Sequence, residues 1–67
     1  MTRQHFRRLA WELAQVEPDE NGDARMVWES CITAVAQTCK TFNAGFKPEL
    51  FKEACHYEYW KTHKIPA

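Results

Sequence analysis

No apolar run of the ~18 residues needed to cross a bilayer occurs in this sequence, which excludes a membrane-spanning helix. The opening residues, MTRQHFRRLAWELA, lack the apolar core of a secretion signal and already carry Glu12, so the chain is expected in the cytoplasm. An excess of one charge is also missing. Nine Lys and Arg balance nine Asp and Glu, which argues against a dedicated binder of nucleic acid or anionic lipid. No CxxC pair is present, and three cysteines is an odd number. In a reducing compartment such thiols behave as small buried hydrophobes. No motif in the chain states a catalytic chemistry, so no enzyme activity and no cofactor are expected.

What the sequence does hold is helical periodicity. From Asp23 to Phe42, Ala24, Trp28, Cys31, Val35, Cys39 and Phe42 recur at spacings of three and four. At ~100° per residue they make one stripe, flanked by Val27 and Ile32. Met26, Glu29, Thr33, Gln37 and Lys40 lie opposite. Upstream, Thr2 to Val16 places Phe6, Leu9, Ala10, Leu13 and Val16 on one face, with Thr2 as N-cap and Glu17-Pro18 as terminator. Pro18 to Gly22 is a turn cluster and Asp23 the expected second N-cap. So short a linker predicts an antiparallel two-helix hairpin. Asn43 or Gly45 suits a left-handed C-cap, and Pro48 suits the first turn of a shorter third helix running to about Lys61. Leu50, Phe51, Ala54 and Cys55 form its apolar face, and Ile65 to Ala67 is expected to fray. The predicted architecture is one all-α domain of helices about 2–16, 23–42 and 48–61.

A chain of 67 residues is marginal with a single small core. Its 13% aromatic content offers one remedy and a homodimer another. Some residues fit packing poorly. Arg3, Arg7 and Arg8 lie toward the positive end of the first helix, where each costs a few tenths of a kcal/mol, up to ~1. They are either a solvated face, partners of Glu29 or Glu53, or kept for another purpose. Lys47 occupies a capping position it suits badly. Trp11 falls opposite the Phe6/Leu9/Leu13 stripe and is either covered by the C-terminal segment or an interface anchor. Tyr57, Tyr59 and Trp60 cannot share one helical face. Tyr57 and Trp60 fall on one side and Tyr59 is expected to stay exposed.

Two reactive constellations fail on helix geometry. Cys31 and Cys39 are ~12 Å apart along one helix and cannot share a zinc, and Cys39, Cys55 and His56 would need converging helices. His63 completes the metal-ligand types. Cys55 and His56 are neighbours in sequence, but adjacent helical side chains do not face each other. All three thiols are expected in the core.

The layout resembles that of small bacteriophage and prophage accessory proteins. Leu9-Ala10 and Leu13-Ala14 match an LA-x-x-LA helix, followed by the Pro18–Asp23 acidic linker and Trp28 early in the second helix. Phe42-Asn43, Phe46, Phe51 and Ala54-Cys55 match an FN-x-x-F-D-x-x-x-F-x-x-AC ending, with Lys47 where that pattern has Asp. His56 to Ala67 extends past its usual end. The resemblance implies an accessory protein by which a phage handles its host, of a kind whose function is mostly unassigned, with a host defence or transcription component as one form of target. The aromatic residues add the expectation of a non-enzymatic protein that binds a host or phage protein. Trp11, Arg7, Arg8, Tyr57, Tyr59 and Trp60 are the candidate contact residues. The alternative is a small DNA-binding regulator using the Arg3/Arg7/Arg8 end.

Overall fold

A computed structural model describes residues 3–66. The described residues are all helical or irregular: α1 (Arg3–Gln15), α2 (Asp23–Phe42), α3 (Pro48–Ala54) and a 3-10 helix (Tyr57–Lys61). The expected Thr2 cap and the Ala67 end lie outside them. α1 closes through bonds from Val16 N–H to Leu13 O and Glu17 N–H to Ala14 O, just before Pro18. Gly22, not Asp23, is the N-cap of α2, and Asp23 sits in its first turn where a negative charge suits the helix end. At the other end Asn43 is extended, and no described residue adopts the left-handed conformation expected there. An Asn43 side-chain turn does the work instead: Gly45 N–H donates to Asn43 Oδ1 at 3.2 Å, and Phe46 N–H to Asn43 O at 2.9 Å.

The third helix is shorter than its sequence predicts. Cys55 N–H still bonds back to Phe51 O, but His56 is extended and the chain resumes as a 3-10 helix. The cause lies in the α1–α2 linker. The Glu17 carboxylate accepts the Tyr57 N–H at 2.7 Å, a donor that a continuing helix would give to Glu53 O.

Packing also departs from a hairpin zipped along its length. The principal packed pairs are α1 with α3, α2 with α3, and the 3-10 helix with α1 and α3. The short α3 is thus the shared partner of the two long helices. Near the linker, Trp28 Nε1–H donates to Leu13 O at 3.0 Å and ties α2 to α1. The Cα trace measures 33 × 25 × 15 Å, its smallest extent being about that of two packed helix layers.

Small residues let the elements approach: Ala10, Ala14, Ala36 and Ala54 are all buried. Around them lie Trp28, Ile32, Phe46, Phe51, Cys55 and Trp60. The buried line of α2 is therefore Trp28–Ile32–Ala36, with Val35 and Cys39 beside it. This is a turn of about 50° from the expected stripe at ~100° per residue. Ala24 and Cys31 are consequently exposed, as are Val27 and, at 86%, Phe42. Trp60 lies in the core with its Nε1–H on Ala54 O at 2.7 Å. Trp60→Phe leaves that carbonyl unpaired and is expected to cost about 1–3 kcal/mol, read as a lower urea midpoint with an unchanged slope.

Candidate functional site

A groove of about 620 Å³ opens between α1, α3 and the Asn43–Lys47 turn. Its apolar lining is built by spacing. Phe6 and Ala10 are four apart on α1, and Leu50, Phe51 and Ala54 come from α3. Phe46, delivered by the Asn43 turn, meets Phe6 edge-on with ring centroids 4.8 Å apart and Phe51 at 5.6 Å. Phe46 and Phe51 are buried, while Leu50 is 56% exposed and reachable. Arg3, Arg7 and Lys47 supply the charge, and no lining side chain is acidic.

Arg7 is the best-positioned of the three cations. Its Nη2 donates to Lys64 O at 2.7 Å, and its guanidinium lies 5.5 Å from the Trp60 ring centroid. Its Nε is buried without an acceptor. Among the described residues, no carboxylate stands within ion-pair distance of Arg3, Arg7 or Lys47.

The six residues singled out by sequence are thereby dispersed. Arg7 and Tyr59 line the groove. Tyr59 is half-buried rather than exposed, edge-on to Trp60 and stacked on His63 at 3.7 Å. Tyr57 is the exposed ring of that segment, at 55%, and Trp60 is a core residue that offers no anchor. Arg8 pairs with Glu12 at 3.1 Å, and its guanidinium lies 5.0 Å from the Trp11 ring, away from the groove. Neither Glu29 nor Glu53 is its partner. Trp11 is half-buried against the core. Sequence reasoning missed Phe6, Phe46 and Leu50 as a site because they read as packing. The available signal was electrostatic: Arg3, Arg7 and Lys47 were already out of place on their helices.

A second cluster holds the frame. Glu17 Oε2 lies 3.2 Å from Arg25 Nη1 and 3.3 Å from His56 Nδ1, beside the Tyr57 N–H bond of Oε1. Arg25 also donates to Pro18 O and stands 5.5 Å from the Trp28 ring, which in turn meets His56 edge-on at 5.2 Å. Burial pushes the Glu17 carboxyl up, but the Tyr57 N–H, His56 and Arg25 together outweigh it and hold it below its ordinary value.

His56 is thus turned to Glu17 and Trp28. Burial pushes the Cys55 thiol up to about 12, which makes it a poor nucleophile. Cys31, expected in the core, is exposed because α2 is rotated. Among the described residues no three His, Cys, Asp or Glu side chains gather to hold a metal ion, and no helix is long and apolar enough to cross a membrane. Compared with known family models, curated proteins and solved structures, the chain matches none.

Two measurements follow from this geometry. A carboxyl with a depressed folded pKa contributes stability above its unfolded pKa of about 4.3, and that contribution is lost as pH falls through the folded value. Glu17→Gln is therefore expected to cost about 1–3 kcal/mol at neutral pH and to flatten the acid limb of stability against pH. In thiol titration of the native chain, Cys31 is expected to react at once and Cys55 only after denaturant is added.

Proposed function

We propose that this chain is a non-enzymatic protein-binding module, an accessory protein of the phage or prophage kind that acts by covering part of a host or phage protein in the host cytoplasm. The supporting observation is the groove: aromatic rings at its base, a reachable Leu50, and three cations without carboxylate partners among the described residues. Apolar anchors supply contact area and rim charges steer encounter. The phage assignment rests on the LA-x-x-LA and FN-x-x-F…AC layout, and a host defence or transcription component is the kind of target it suggests.

Duplex DNA on the basic first helix is the weaker reading. Arg8 is spent on Glu12 and Trp11, and the chain carries no net positive charge. The test is retention from host lysate on the immobilised chain, compared with Leu50→Asp. The variant is expected to keep its helicity and lose the retained protein. Equal retention by the variant, or retention of duplex DNA with a steep salt dependence, overturns the proposal.

A further inference from the structure

We infer that the segment received by the groove is acidic and amphipathic: a peptide stretch of the partner in which carboxylates flank large apolar side chains. This rests on the protein-binding reading and specifies its chemistry. The first argument is charge accounting. The chain is neutral overall, and Arg8, Arg25 and Lys61 each meet a carboxylate within 3.2 Å. The other six cations have none among the described residues, and three of those six, Arg3, Arg7 and Lys47, line one groove.

The second argument is placement. Arg3 opens α1 and Lys47 is the N-cap of α3, and both are helix ends that disfavour a cation. Among the described residues neither side chain gains a compensating hydrogen bond or ion pair, and Lys47 makes none as a cap. The third is preorganisation. Arg7 is fixed by the Lys64 carbonyl and the Trp60 face; its Nε is buried, and among the described residues no acceptor takes its Nη1 donors. A guanidinium so held suits a carboxylate. A smaller cleft beyond Arg7, lined by Gln4, Lys64, Ile65 and Pro66, is likewise without an acidic side chain. The half-buried Phe6 ring and the exposed Leu50 decide between a simple anion and a peptide, because they offer apolar area that a bare anion leaves unused.

The experiment is selection of a displayed library of short random peptides on the immobilised full chain, against Arg3→Glu/Lys47→Glu and Leu50→Asp as separate controls. Both charge-reversed positions are exposed, so that variant is expected to keep its fold, checked by circular dichroism. Expected are peptides pairing Asp or Glu with Leu, Ile, Phe or Trp. They bind the charge-reversed chain about tenfold more weakly, or worse, and weaken as salt is raised. Neutral or basic peptides that still depend on Leu50 overturn the acidic occupant and leave the protein-binding reading standing. Selection of no peptide, or of peptides indifferent to both controls, overturns the two together.

Discussion

The Glu17 carboxylate is the knot of this fold. α1 and α2 share α3 as a packing partner rather than lying zipped together. At the linker, one side chain that is 16% exposed joins Arg25 at the start of α2 to His56 and the Tyr57 amide beyond α3. Its bonds to charged or backbone groups are among the stronger ones available to a folded chain. By taking the Tyr57 N–H it also ends the run of helical bonds after Cys55. The chain then turns, Trp60 enters the core, and Tyr59 becomes a wall of the groove. Arg7 closes that circuit from α1, lying near the Trp60 ring and bound to the Lys64 carbonyl.

That knot marks where local reading stops working. Helix positions were legible because their punctuation is local: Glu17-Pro18, Asn43 to Gly45, and Pro48. The end of α3 was not, since Cys55 to Lys61 is compatible with helix and its interruption comes from a residue forty positions upstream. The same break exchanged the roles of Tyr57 and Tyr59, because a 3-10 helix turns ~120° per residue where an α-helix turns ~100°. The face of α2 was half-legible. Trp28, Val35 and Cys39 were placed inward, but Ile32 and Ala36 replaced Cys31 and Ala24 once α3 covered one side only. Periodicity gives the width of an apolar stripe more securely than its centre. Of the site itself, Arg7 and Tyr59 were read from sequence, and the groove that unites them depends on tertiary placement of Phe46.

The cations of the groove carry a cost that the chain could avoid. A capping side chain at position 47 would stabilise α3 by roughly 0.5–2 kcal/mol, and a neutral or acidic residue at position 3 would suit the α1 dipole. For a domain this small such amounts are a sizeable share of the total. Local rules broken without compensation inside the fold mark places where the surface serves something else. Here both departures converge, together with Arg7, on one apolar groove, and the three charges have the same sign. Coincidence of sign matters more than any single residue, since none of the three has a carboxylate partner among the described residues and an anionic occupant of the proposed kind would supply one. By linkage the same occupant stabilises the fold. The proposed groove and the knot at Glu17 meet in the C-terminal segment: Trp60, beside which Arg7 lies, donates to Ala54 O, and Tyr57, three residues earlier, is held by Glu17.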